Sequence, residues 1–161
     1  MNMKIRVGLG FDVHELKSGA PLHLGGVLIP SDVGAVGHSD ADVLIHALCD
    51  AILGAAGMRD IGHHFSNKDE RWRNADSKIF LKEVMDMITR KGWRVENADC
   101  TLVLESPKIN PHIDQMKAAL APILGIAETD LSIKATTNEG LGYVGRREGV
   151  NATSVVLLSS K

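Results

Sequence analysis

Aromatic residues are scarce in this chain. Three phenylalanines, two tryptophans and one tyrosine make up 4% of its 161 residues. A base-stacking surface needs more rings than that, so a nucleic-acid partner is excluded on this ground. Cysteine is scarcer still: Cys49 and Cys100 each fall inside an apolar run, and neither lies in a C-x-x-C pair. Two reduced core thiols are therefore expected, which suits a reducing compartment. Neither sign of charge is in excess. Eighteen Lys and Arg stand against 20 Asp and Glu, a net charge of −2, which gives no reason to expect nucleic acid or an anionic membrane as partner. A long hydrophobic run is missing too. The longest apolar segment, Val43 to Gly57, is broken by His46 and Asp50 and is too short to span a bilayer. The start, Met1-Asn2-Met3-Lys4-Ile5-Arg6, lacks the apolar stretch of a signal peptide, so a cytoplasmic protein is expected.

What remains is ordinary globular material, with 44% hydrophobic and 24% charged residues. The length fits one domain, residues 1–161, able to bury a real core. Ile5 to Phe11 reads as a short strand. Leu22 to Ile29 reads as a hairpin about Gly25-Gly26, and Ser31 to Asp40 as a loop. Ser39 followed by Asp42 resembles a capping box, with a helix from Ala41 to Ala56 that stops at Gly57. Met58 to Ala75 is a long polar connection, and such loops are often functional. Asp76 or Ser77 caps a second helix reaching Gly92. Cys100 to Leu104 is a strand, Asn110-Pro111 opens a third helix ending near Gly125, and Leu131 to Thr137 and Val150 to Leu158 are strands. The order implies an α+β fold, a single layer of helices packed on one face of a mixed β-sheet. The last strand is apolar on both faces at Val155-Val156-Leu157-Leu158, so more of this chain or another subunit has to cover the second face.

Two segments suggest a metal. In Gly10-Phe11-Asp12-Val13-His14, extended chain puts residues two apart on one side, so Asp12 and His14 can present an oxygen and a nitrogen to one point. A surface pair at a strand end would look the same. His46 lies inside an otherwise apolar helix, and a buried imidazole needs partners. It is either a core histidine bonded to a carbonyl or to Asp50, or a third ligand oriented by Asp50. Together the three form an oxygen/nitrogen set without a fourth protein ligand, the composition of an open, catalytic zinc site rather than a closed structural one.

Phosphate features accompany them. His38-Ser39 precedes a helix start, whose free amides suit phosphate, although Ser39 could merely cap. Lys134-Ala135-Thr136-Thr137-Asn138-Glu139 and Tyr143 to Gly149 bring hydroxyls, an acid, glycines and arginines together after a strand. Hydroxyls and Arg hold phosphate oxygens, and Glu139 suits a hard cation such as magnesium. A hairpin with a solvated charged tip has the same composition.

These segments resemble the 2-C-methyl-D-erythritol 2,4-cyclodiphosphate synthase family of the non-mevalonate isoprenoid pathway. The likeness is carried by Gly10 to His14, His38-Ser39-Asp40, His46-Ala47-Leu48, Asp60-Ile61-Gly62, Ala75-Asp76-Ser77, Pro107-Lys108 and Lys134 to Thr137, in that order across nearly the whole chain. The resemblance implies a phosphorus–oxygen lyase. Its substrate would be 4-diphosphocytidyl-2-C-methyl-D-erythritol 2-phosphate, whose 2-phosphate attacks the β-phosphorus and expels CMP. Asp12, His14 and His46 match the zinc ligands, and Glu139 the magnesium or manganese ligand. His38 and Thr137 match the residues that polarise and position the phosphates. Substrate contacts would come from Asp12, His14, His38, Ser39, Asp60, Ile61, Gly62, Phe65 and Asp69. Leu104, Ser106, Pro107, Lys108, Ile109 and Asn110 would form the cytidine pocket, with Thr136, Thr137, Asn138, Glu139, Tyr143 and Arg146 toward the phosphates. The family is a homotrimer with intersubunit sites, which would cover the last strand. An isoprenoid diphosphate can occupy its central cavity, near the positions of Phe11, Arg146 and Glu148.

The chain departs from the family in places. Phe65-Ser66-Asn67-Lys68-Asp69 replaces the common Phe-Pro-Asp-Thr-Asp, Tyr143 a frequent phenylalanine, and Arg147 a common glycine. The residues also admit two other functions: a zinc-dependent hydrolase of another diphosphate, or a trimeric isoprenoid-diphosphate binding protein.

Overall fold

A computed structural model describes residues 3–160. The strands are β1 (Ile5–Ser18), β2 (Leu22–Leu24), β3 (Val27–Ile29), β4 (Val33–Val36), β5 (Trp93–Val103), β6 (Leu131–Thr136) and β7 (Gly149–Ser160). The helices are α1 (Val43–Ala55), α2 (Ile61–His64), α3 (Ser77–Arg90), α4 (Ile113–Leu124) and α5 (Gly142–Gly145). Five strands make one mixed sheet in the order β4-β1-β7-β5-β6. Only β5 and β6 run parallel; the other neighbours are antiparallel. Helices α1, α3 and α4 cover one face, α1 over β1 and β7 and α4 against β6. The expected α+β arrangement, one helix layer on one face of a mixed sheet, is present. Among the described residues no helix is long and apolar enough to cross a membrane.

Helix α1 is the centre of the core. Its buried residues run from Val43 to Ala55 with only His46, Asp50 and Gly54 outside the fully buried set. Each fully buried Leu, Ile or Val contributes about 1.5–3 kcal/mol, so this helix anchors the domain. Its N-cap is Asp42 rather than Ser39: the Asp42 carboxylate accepts from Ile45 N at 3.1 Å and from Gly25 N and Gly26 N at 3.0 and 2.7 Å. One buried side chain thus starts the helix and ties the β2–β3 hairpin to it. Both hairpin glycines have positive φ, 59° and 77°, the twist that a two-residue turn requires. Gly57, at φ 69°, ends the helix as expected.

Three strand expectations need correcting. Strand β5, read as Cys100 to Leu104, begins seven residues earlier at Trp93 and ends at Val103. Strand β1 extends to Ser18 rather than stopping at Phe11, because β7 pairs with it from Ile5 to Glu15 and β4 from there to Ser18. The segment read as a loop at Ser31 to Asp40 contains β4. Four residues are too few to show a period, and the free edge of β1 makes them a strand. Cys49 and Cys100 are free and buried, as expected. Burial pushes both thiols up, that of Cys100 to about 11, so neither is a poised nucleophile.

The outward sheet face behaves differently from the expectation. Strand β7 lies in the middle of the sheet, and most of the exposed apolar surface sits on its neighbour β1. There Ile5, Val7, Leu9, Phe11 and Val13 are 45% to 67% exposed, with Val155 of β7 beside them.

Candidate active site

Alternation along β1 sends Gly8, Gly10, Asp12 and His14 toward the helix layer. The two glycines let α1 come close. A Cβ at Gly10 would lie 1.9 Å from the Ala47 carbonyl oxygen, and one at Gly8 1.9 Å from that of Ala51. With α1 seated directly on the strand backbone, His46 reaches the two side chains that follow the glycines.

Three donor atoms meet there. Asp12 Oδ2 lies 3.0 Å from His14 Nε2 and 3.1 Å from His46 Nδ1, and the two imidazole nitrogens are 3.1 Å apart. Burial alone would raise the Asp12 carboxyl, but hydrogen bonds and charge from His14 and His46 outweigh it and bring it to about 2. Burial alone would lower His46, and the Asp12 carboxylate, with Asp42 and Asp40, raises it instead. As a purely hydrogen-bonded cluster this triangle is awkward, since two ring nitrogens face one oxygen and each other. A divalent cation resolves it by drawing all three lone pairs to one point. Bonds of about 2.0–2.1 Å in tetrahedral geometry place neighbouring donors about 3.3 Å apart, close to the distances here. The residues fit a metal, and among the described residues they are the one such group of His, Cys, Asp and Glu.

The triad opens into a cleft of about 470 Å³, also lined by Gly37, His38, Ser39, Ile61, Gly62, Phe65, Ser66, Asn67, Trp72 and Phe80. Its floor gathers three of the chain's few rings, with Phe65, Trp72 and Phe80 centroids 5.0 to 5.4 Å apart. Trp72 and Phe80 carried no functional signal in the sequence. His38 Nε2 donates to the Asp69 carbonyl at 2.9 Å. Asp60 caps α2 through His63 N at 2.9 Å, and Asp69 caps the turn Glu70–Trp72 and pairs with Arg71. Asp50 is not the partner of His46. It accepts from Ile61 N at 2.7 Å and holds α2 in place.

A second hollow, about 100 Å³, is lined by Leu104, Glu105, Pro107, Lys108, Ile109, Asn110, Ala135, Thr136 and Thr137. Ser106 stands beside it and accepts from Arg147 at 3.3 Å. Thr137 Oγ1 and Glu139 Oε1 are 3.3 Å apart, and Glu105 Oε1 accepts from Asn138 N and Gly140 N at 2.9 and 3.2 Å. Glu105 therefore fixes the loop on both sides of Glu139, which sits at φ 51°. Tyr143 OH accepts from Asn151 at 2.8 Å, and Arg146 is paired with Glu148 at 2.9 Å. Glu139 does not join the metal triad. Strand β6, which leads to it, lies three strand spacings from β1, about 14 Å.

Comparison with known proteins gives a consistent set of likenesses. The family model described as the YgbB family matches residues 5–159. A 2-C-methyl-D-erythritol 2,4-cyclodiphosphate synthase of Cytophaga hutchinsonii is 63% identical over 97% of this chain and 98% of its own. A Bacteroides fragilis protein of the same name is 52% identical over 98% of this chain and 99% of its own. A solved 2C-methyl-D-erythritol-2,4-cyclodiphosphate synthase in a CDP-bound form has a TM-score of 0.88 at 40% identity, covering 95% of this chain and 99% of that one. The bifunctional IspDF of Campylobacter jejuni superposes with a TM-score of 0.95 at 41% identity, over 99% of this chain and 43% of that one.

Proposed function

The chain belongs to the YgbB family of 2-C-methyl-D-erythritol 2,4-cyclodiphosphate synthases and is an enzyme of isoprenoid synthesis that forms a cyclic diphosphate, and from that premise we propose its mechanism. The substrate is 4-diphosphocytidyl-2-C-methyl-D-erythritol 2-phosphate. Its 2-phosphate oxygen attacks the β-phosphorus, the bond to the CMP phosphate breaks, and CMP leaves with that bond's electrons. The observation that carries this reading is the triangle of Asp12, His14 and His46, open to a cleft of about 470 Å³. The Cytophaga hutchinsonii and Bacteroides fragilis relatives are named as synthases, which does not favour a hydrolase of another diphosphate or a binding protein without turnover.

Nucleophile and electrophile share one molecule, so the protein's task is to fold the substrate into line and to neutralise charge. Orientation of this kind is worth about 7–11 kcal/mol of barrier. Zinc at Asp12, His14 and His46, and magnesium or manganese at Glu139, would supply Lewis-acid polarisation of the diphosphate and offset repulsion against the incoming phosphate. His38 and Thr137 orient phosphate oxygens. Asp60, Ile61 and Gly62 hold the methylerythritol part over the apolar floor. Backbone and side chains from Leu104 to Asn110 take the cytidine; the CDP-bound relative supports a nucleotide ligand of that class. No protein nucleophile is needed, and a phosphate oxygen requires no general base.

The same reading includes a homotrimer with its sites between subunits. It is supported by two features: the two halves of the machinery lie apart within one chain, and β1 presents its apolar stripe outward. An isoprenoid diphosphate in a central cavity near Phe11, Arg146 and Glu148, and residence in the cytoplasm, belong to this proposal as well. The test is a product assay on the cytidyl substrate, with and without a chelator. CMP and a cyclic diphosphate in equal amounts, lost on chelation and restored by zinc, are expected. Inorganic phosphate or a linear product would overturn the reading.

A further inference from the structure

We propose that Ser77 and Asp40 are positioning residues that fix the imidazole of His46, forming a histidine–serine–carboxylate relay behind the metal centre. The inference rests on the metal reading of the triad and extends it to residues to which that reading gives no role.

His46 turns Nδ1 toward Asp12 and His14, so its other nitrogen decides the tautomer. Nε2 lies 2.9 Å from Ser77 Oγ and 3.2 Å from Ser39 Oγ. Ser77 is fully buried, and its hydroxyl has one hydrogen to give. That hydrogen goes to Asp40 Oδ1, because a carboxylate only accepts. The serine oxygen is then left to accept from His46. The direction of the chain follows: Nε2–H donates to Ser77, Ser77 donates to Asp40, and Nδ1 keeps its lone pair for the metal. Asp40 cannot easily swing away, since Ser77 N donates to its Oδ2 at 3.0 Å and Asp42 N to its Oδ1 at 3.2 Å. A metal-bound histidine usually donates its second N–H to a carboxylate or carbonyl, which fixes the ring and raises its basicity. Here a hydroxyl is interposed, and the carboxylate still polarises the line through it.

The relay also joins two parts of the site. Asp40 N donates to Ala75 O at 3.0 Å, and Asn74 N to His38 O at 2.8 Å. The segment that carries His38 is thus clipped to the start of α3, where Ser77 sits, and the same serine holds a ligand. Ser39 is the weaker partner by distance, and its oxygen already takes Ala41 N at 3.3 Å.

The experiment is zinc affinity of the metal-free protein by competition with a chromophoric chelator, for wild type, Ser77→Ala, Ser39→Ala and Asp40→Asn. It is paired with long-range ¹H–¹⁵N NMR of the His46 ring in zinc-loaded protein. Ser77→Ala should bind zinc about 10–100-fold more weakly and lose the protected Nε2–H signal. Asp40→Asn should weaken binding, and Ser39→Ala should weaken it less than Ser77→Ala does. A serine that serves only packing would change the melting temperature and leave the imidazole signal in place. Zinc affinity and the His46 signal both unchanged in Ser77→Ala would overturn the relay. If that variant does not fold, Asp40→Asn, which preserves volume, decides by the same criterion. Failure of the wild type to bind zinc would instead overturn the metal centre itself.

Discussion

Gly10→Ala is a one-methyl perturbation on a residue that supplies no donor to the Asp12, His14 and His46 triangle, and its effect follows from geometry. The added Cβ would stand 1.9 Å from Ala47 O and 2.6 Å from Ala51 N. Real Cβ contacts stay beyond 3.0 Å, so strand and helix must part by about 1 Å or more at this point. Both obstacles are helix backbone, which has no rotamer with which to yield. Overpacking of this kind costs about 1–3 kcal/mol, and the upper end applies where backbone must move. For a domain of this size that lowers the melting temperature by roughly 6–12 °C. The metal centre suffers more than the fold. His46 precedes Ala47 on the displaced helix, whereas Asp12 and His14 stay on the strand, so the triangle of 3.0–3.1 Å edges opens. Metal sites tolerate about 0.2 Å in ligand distance, and zinc affinity should fall at least about tenfold, or roughly 1.4 kcal/mol. The control is Gly54→Ala on the same helix, where an added Cβ meets nothing. It should raise stability by about 0.5–1 kcal/mol and leave zinc binding alone. Chelator competition and thermal unfolding on both variants are sufficient. Equal zinc affinity in Gly10→Ala and wild type would refute the claim that glycine-permitted contact builds the triad.

Three further outcomes are expected. Without metal, the depressed Asp12 carboxyl stabilises the fold above its ordinary value of 3.8, and that contribution disappears as pH falls through about 2. The raised His46 acts in the opposite sense, fully present below 6.5 and lost as pH climbs past its own higher value. Metal-free protein should therefore lose stability on both sides of this window, and Asp12→Asn should flatten the acid arm in urea titrations. Glu139→Gln should keep zinc but weaken magnesium dependence, and an unchanged magnesium titration would count against its role. Arg147 holds φ 61°, a backbone conformation that glycine takes without a Cβ penalty, so Arg147→Gly should relieve about 1 kcal/mol of left-handed strain, read as a higher denaturant midpoint.

Legibility in the sequence followed the range of each interaction. The start and stop of α1 near Asp42 and Gly57, the Gly25-Gly26 turn and the alternation that pairs Asp12 with His14 are local, and all were readable. The approach of His46 was readable as chemistry, because an imidazole in an apolar stripe needs a partner. Which partner it takes on its far side was not. Asp50, one helical turn away, is the neighbour that sequence suggests, yet Ser77 from another helix takes the bond. A serine at a helix start looks like any cap, and here the capping bond belongs to Asp76. Strand β4 was hidden because four residues show no period and the edge they pair with lies in β1. The cleft floor was equally silent: Trp72 ends a short turn and Phe80 lies in α3, and only the fold brings their rings within 5.4 Å of each other and of Phe65.

Leu9→Glu tests the assembly, because β1 carries a different demand on each face. Its inward residues Asp12 and His14 meet His46 of α1 in the candidate metal triad within one chain. Its outward residues, Leu9 at 67% exposure among them, form an apolar stripe larger than scattered surface hydrophobics would give. In an isolated subunit a glutamate at this position is fully hydrated and costs almost nothing. In the proposed trimer the same change would bring three carboxylates together in an apolar interior, where unpaired charge is strongly disfavoured. The variant should therefore sediment as a monomer, keep its zinc and lose turnover, because the loop of Thr137 and Glu139 would no longer be supplied by a neighbour. A monomeric variant with full activity would show that one chain completes the site alone. A variant that remains trimeric and active would remove the stripe on β1 from the interface.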